Sequence, residues 1–206
     1  MKTIVYLIGA SNTSNVGPNG FNRDWNLTKD SIKLNIIEPL KQYCEVSTHI
    51  ATYENEQVND IVHFYNVESG IVLPYENSHQ RLTYILALKH LLESEIDFDF
   101  VVTTRFDIDF FNPLNHYDFN KVNFLFKDVD TLWNSSKYTG DCLFGIPKTY
   151  IQEFIESVEN AHKNNEWYMH QIYNNLIGKI SEDNCYFLFD GNHASNENNI
   201  YQLVRA

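Results

Sequence analysis

Runs of consecutive apolar residues alternate along this chain with stretches in which apolar residues recur every three or four positions. The opening run TIVYLIG has the length of a strand buried on both faces and ends at Gly9. ASNTSNVGPNGFN, rich in Gly, Asn and Ser, reads as a loop. A helical pattern follows, with Ile32, Ile36, Ile37 and Leu40 on one face and Thr28 or Asp30 placed to cap it. CEVSTHIATY predicts a second strand and DIVHFYNV a third. HQRLTYILALKHLLES predicts a helix capped by Ser78, with Leu82, Ile85, Leu88, Leu91 and Leu92 as its apolar stripe. FDFVVTT is again the pattern of a doubly buried strand.

In the second half KVNFLF and DCLFGIP predict strands, and KTYIQEFIESVENAHK predicts a helix that turns Tyr150, Phe154, Ile155 and Val158 inward. EWYMHQIYNNLIG predicts a shorter helix, and CYFLFDGNHASNENNIYQLVRA a strand, an Asn-rich loop and a terminal strand. This alternation implies an α/β fold, a mixed, mostly parallel central sheet flanked by helices. At 206 residues the chain fits one such domain, spanning 1–206.

Charge narrows the function classes. A net charge of −12 argues against a nucleic-acid binder, which needs a basic face, and against a surface held on anionic lipid. Cys44, Cys142 and Cys185 form no CxxC pair and suit free thiols in a reducing, cytoplasmic setting. The apolar run Ile4 to Ile8 is too short for a membrane span, so no transmembrane segment is expected, and the sequons at Asn12, Asn26 and Asn134 then carry no glycan.

Candidate chemistry centres on FVVTTRFDIDFF. A strand alternates its side chains with a period of two, so Asp107 and Asp109 are expected on one side, at the carboxyl end where such sheets bind ligands. Two carboxylates so held suit a hard divalent cation that also takes diphosphate oxygens. The apolar surroundings of Arg105 call for an anionic partner, either a phosphate or Asp107 or Asp109 themselves. GxGxxG, GxxxxGK[ST], HExxH and GxSxG are all absent.

FDFVVTTRFDID resembles the strand that leads into the DxD motif of GT-A-type nucleotide-sugar glycosyltransferases, and GDCLFGIPKTYIQEF resembles their later acidic segment. With MKTIVYLIG and SHQRL, the chain is similar to the small GT-A domains of large algal viruses (chloroviruses) and of bacterial surface-polysaccharide clusters. The resemblance implies a Rossmann-like fold with a nucleotide-binding half at about 1–110 and an acceptor half at about 111–206. It implies transfer of a hexose or deoxyhexose from a UDP-sugar or related donor to a glycan hydroxyl in polysaccharide biosynthesis. Asp107, Asp109 and His193 match its Mn2+ or Mg2+ ligands, Asp141 its catalytic base, and Ala10 to Asn12 with Thr52 and Tyr53 its base and ribose contacts. Arg81 and Arg105 would reach phosphates. Trp133, Trp167, Tyr168 and His170 fall on the acceptor side, as core or as sugar-stacking surface. The Ala10 to Asn22 stretch and GNHASNENN are expected to close over the donor.

Two alternatives stand beside this reading. One is a nucleotidyltransferase or metal phosphohydrolase, for which a Gly-rich, basic loop would be expected where this chain has Asn and Ser. The other is a carbohydrate-binding protein without catalysis.

Overall fold

The computed structural model describes residues 1–11, 24–74, 80–128, 138–163, 172–191 and 199–204. Its centre is a mixed sheet in the order β3-β2-β1-β4-β8-β6-β7, with β9 also paired to β6. The strands are β1 (Lys2–Ile8), β2 (Glu45–Tyr53), β3 (Ser69–Leu73), β4 (Phe100–Arg105), β6 (Val122–Asp128), β7 (Tyr138–Thr139), β8 (Leu143–Pro147) and β9 (Cys185–Phe189). β5 (Ile108–Phe110) and β10 (Tyr201–Leu203) form a separate antiparallel pair. The first four sheet strands run parallel, β9 runs parallel to β6, and β8 runs antiparallel between β4 and β6. The expected mixed, mostly parallel α/β sheet is what the chain forms.

Alternation along β1 explains why helices cover both faces. Ile4, Tyr6 and Ile8 enter one apolar cluster with α4 (Gln80–Glu93), α5 (Ile151–Lys163) and α6 (Ile172–Ile180). Val5 and Leu7 enter the other, with Ile32, Ile36, Ile37 and Leu40 from the helical stretch formed by α1 (Lys29–Ile32), a π turn (Lys33–Ile37) and α2 (Glu38–Lys41). Among the described residues no helix is long and apolar enough to cross a membrane.

Two expectations are corrected. DIVHFYNV is not a strand: Val58–Tyr65 forms helix α3, which buries Ile61 and Tyr65 one turn apart and ends at Asn66, whose φ of 51° is left-handed. The third strand is the next apolar segment, Ser69–Leu73. On α4 the buried face includes Arg81, Tyr84, Ile85, Leu88 and Leu91, while Leu92 is exposed. Ser78, the expected cap, lies outside the described residues.

Next to β3, His49 is buried on β2 with the Ser47 hydroxyl 3.1 Å from Nε2 and the Ser69 hydroxyl 2.7 Å from Nδ1. Burial disfavours the imidazolium and His90 adds like charge, so the His49 pKa falls from 6.5 to about 4. Only the unfolded chain then takes up this proton between those values, so folded stability drops as pH falls through that window. From pH 8 to pH 5 this residue should remove about 2 kcal/mol. Urea unfolding of the parent and of His49→Gln checks it. The variant cannot titrate there and should lose less by that amount, whereas equal losses would remove His49 from the pH response.

Candidate functional site

The strand order reverses around β1, which pairs β2 on one side and β4 on the other, and such a switch point opens a crevice at the carboxyl ends of the strands. Gly9 ends β1 at φ +113°, a conformation open to glycine, with its amide still bonded to the Ala51 carbonyl at 2.9 Å. The chain leaves at Ser11 and is back by Trp25, whose amide donates to the Ser11 carbonyl at 2.8 Å. Asn12 lies outside the described residues, with the rest of 12–23.

Thr52 and Tyr53 were expected to meet a base and ribose, and the structure gives both other partners. Thr52 is buried with its hydroxyl 2.9 Å from that of Ser11, which also accepts from Asn55 Nδ2 at 3.1 Å. The Asn55 side chain in turn accepts from the Gln57 amide, and Gln57 Oε1 accepts from Trp25 Nε1 at 2.7 Å. This chain of bonds braces the ends of β1 and β2 against the entry to α1. Tyr53 is buried and bonds through its hydroxyl to Thr83 of α4. Ala10 remains half-buried at the rim.

At the end of β4 a charged cluster forms. Arg105 Nε and Nη2 donate to the two oxygens of Asp107 at 2.8 and 2.6 Å, and Nη1 donates to Asp141 Oδ2 at 3.1 Å. Gln80, opening α4, reaches the same Asp141 oxygen at 3.4 Å. The antiparallel register of β4 with β8, Thr104 opposite Leu143, brings Asp141 beside Arg105 although 36 residues separate them. Side-chain exposures are 11% for Arg105, 3% for Asp107 and 13% for Asp141, so the cluster is shielded from water. Burial alone would lower the Arg105 pKa, but the charges of Asp107 and Asp141 outweigh it and hold the guanidinium more firmly protonated than usual.

The period-two expectation for Asp107 and Asp109 is corrected here. β4 stops at Arg105, Phe106 and Asp107 form a turn, and Asp109 belongs to β5, facing Gln202 of β10, whose Nε2 donates to Asp109 Oδ2 at 2.7 Å. Tested as ligands for Mn2+ or Mg2+, the two carboxylates do not fit as a pair: Asp107 is spanned by the Arg105 fork and Asp109 is bonded elsewhere. Among the described residues no group of three or more His, Cys, Asp or Glu could hold a metal ion. His193, Trp133, Trp167, Tyr168 and His170 lie outside the described residues, as does most of each segment expected to close over the donor. Arg81 is buried in α4, and its Nη1 donates to the Ala161 carbonyl of α5 at 2.9 Å, which ties two helices together. Asp141, expected as a base, receives bonds from Arg105 and Gln80.

No protein-family model and no curated protein sequence matches this chain. Solved structures do. The nucleoside-diphosphate-sugar pyrophosphorylase of Vibrio cholerae RC9 is 14% identical, with a TM-score of 0.52, covering 92% of this chain and 92% of that one. The CTP:phosphocholine cytidylyltransferase of Streptococcus pneumoniae is 13% identical, with a TM-score of 0.52, covering 98% of this chain and 92% of that one. These likenesses establish the shared fold. The hexosyltransferase reading, with its DxD motif and manganese, is corrected by them: these two structures, which cover 92% and 98% of this chain, are named for nucleotidyl chemistry, and the acids said to form the DxD site are engaged by Arg105 and Gln202.

Proposed function

We propose that this chain is a nucleotidyltransferase that joins the nucleotidyl part of a nucleoside triphosphate to the phosphate of a phosphorylated small molecule. The observation that carries this reading is the end-to-end likeness to two enzymes named for such chemistry, a cytidylyltransferase for phosphocholine and a pyrophosphorylase for nucleoside-diphosphate sugars. The nucleotide enters the crevice between the ends of β1 and β4, at the switch in strand order. An acceptor phosphate oxygen forms a bond to the α-phosphorus, the bond from that phosphorus to the β-phosphate bridge breaks, and pyrophosphate leaves. The chain's described residues contribute position. The Ser11, Thr52 and Asn55 bonds fix the rim, and the Arg105 cluster fixes β4 against β8 beneath it, since small misplacements of bound groups cost much of the rate.

Pyrophosphate release decides the matter. The purified chain is incubated with each magnesium nucleoside triphosphate in the presence of hexose 1-phosphates or phosphocholine. Release that requires both the nucleotide and a phosphorylated acceptor is expected, with a matching nucleoside-diphosphate-linked product by 31P NMR. Release of phosphate without acceptor would instead mark a phosphohydrolase, and no nucleotide turnover with any acceptor would remove the proposal.

A further inference from the structure

The Arg105 cluster has a consequence for cations that is independent of which phosphorus bond the protein breaks. Its guanidinium lies between two carboxylates, forked on Asp107 at 2.8 and 2.6 Å and bonded to Asp141 at 3.1 Å. Paired N–H donors facing a carboxylate edge are the strongest arrangement such groups form, and an arginine does not lose its proton in a protein. The Asp107 backbone is held on both sides. The turn is pinned on one side by the Thr28 hydroxyl, which donates to the Phe106 carbonyl, and on the other by the Val204 amide, which donates to the Asp107 carbonyl at 2.9 Å.

We infer that Arg105 is the resident cation of this site: it fills the place beside Asp107 and Asp141 that a divalent ion would otherwise take, and Asp107 is a positioning residue for β4 and β8. To ligate Asp107, an ion must either part the fork and leave a guanidinium buried without its main counter-charge, or take the remaining carboxylate lone pairs against the repulsion of the adjacent guanidinium. That lowers affinity by about a hundredfold or more relative to the same carboxylates released from Arg105. Asp109 does not join the cluster: it sits on β5, past the turn, with its Oδ2 accepting from Gln202. The triad also carries two negative charges against one positive, so removal of the guanidinium leaves adjacent buried anions, the setting in which a hard divalent ion binds through oxygen.

The test uses Mn2+ alone, without nucleotide, followed by the electron paramagnetic resonance signal of the free ion. The parent protein and Asp107→Asn should give superimposable isotherms. Arg105→Met should bind Mn2+ at least about a hundredfold more tightly than the parent and melt at a higher temperature when the ion is added. A stoichiometric Mn2+ site in the parent that Asp107→Asn abolishes would overturn the inference. So would a folded Arg105→Met variant whose isotherm matches the parent's. If Arg105→Met does not fold, the comparison of the parent with Asp107→Asn decides alone. Because no nucleotide is present, failure here and failure of the pyrophosphate assay are separate results.

Discussion

Arg105→Met should cost the folded protein about 3–5 kcal/mol at pH 7, the penalty for leaving buried charge without its counter-ion. The side chain is close in length and apolar, so little packing is lost; the cost comes from the carboxylates of Asp107 and Asp141, 3% and 13% exposed, which keep their burial and lose their cation. The pH dependence separates this from a packing defect. In the variant, both acids favour the neutral form, and their folded-state pKa values rise above those of the unfolded chain. Such groups add stability below the unfolded value and lose it as pH rises. The deficit relative to the parent should therefore shrink between pH 7 and pH 5 in urea unfolding. An equal deficit at both pH values would mean that Arg105 acts through contact area.

That Arg105 needed an anionic partner could be read from its apolar neighbours, and Asp107 was among the partners the sequence offered. Asp141 as the second partner could not be read, because it depends on β8 lying antiparallel beside β4, a pairing that no local pattern encodes. The doubly buried strands were legible for the reason that they are buried: β1 and β8 are near-continuous apolar runs, β4 opens on Phe100, Val101 and Val102, and the helical face of Ile32, Ile36, Ile37 and Leu40 came out as spaced. DIVHFYNV misled because its short, mostly apolar run has the length of a strand, and the stop signal that marks it as a helix is the single left-handed Asn66. The Asp107 and Asp109 pairing misled for a related reason. A period of two holds only while the strand continues, and here the chain turns after Arg105 and resumes in another sheet.

Function was legible only as far as the half of the sheet that forms the crevice. Strand ends around β1 look alike whether the bound nucleotide gives up a sugar or its own nucleotidyl group, so the choice fell to the segment after Gly9. There Asn and Ser weighed against nucleotidyl transfer, although Gly17, Gly20 and Arg23 stand among them. A fold carries several chemistries, and the acids that favoured one of them turned out to be tied to Arg105 and Gln202.

The second large effect is expected at Phe144, in the middle of β8. Its ring is fully buried and meets Tyr84 of α4 at 5.8 Å, Phe124 of β6 at 5.8 Å and Phe154 of α5 at 5.3 Å between centroids, each steeply tilted as aromatic edges and faces prefer. Three elements thus converge on one side chain of a fourth, and the space it would leave is not readily filled, since Phe124 is itself held by Tyr173 and Phe187 and Tyr84 by its helix. Phe144→Ala should therefore lose the transfer free energy of the ring and also carry a cavity, about 3–5 kcal/mol together. Phe111→Ala, on a ring 40% exposed, should stay within about 0.5 kcal/mol. Denaturant unfolding of the two variants measures the contrast. The consequence reaches the candidate site, because Phe144 sits three residues from Asp141 and fixes the strand that presents it to Arg105. A loss under about 1.5 kcal/mol for Phe144→Ala, the range of a tolerated hydrophobic swap, would show that β8 is anchored by its strand pairing and the Arg105 cluster instead of by this ring.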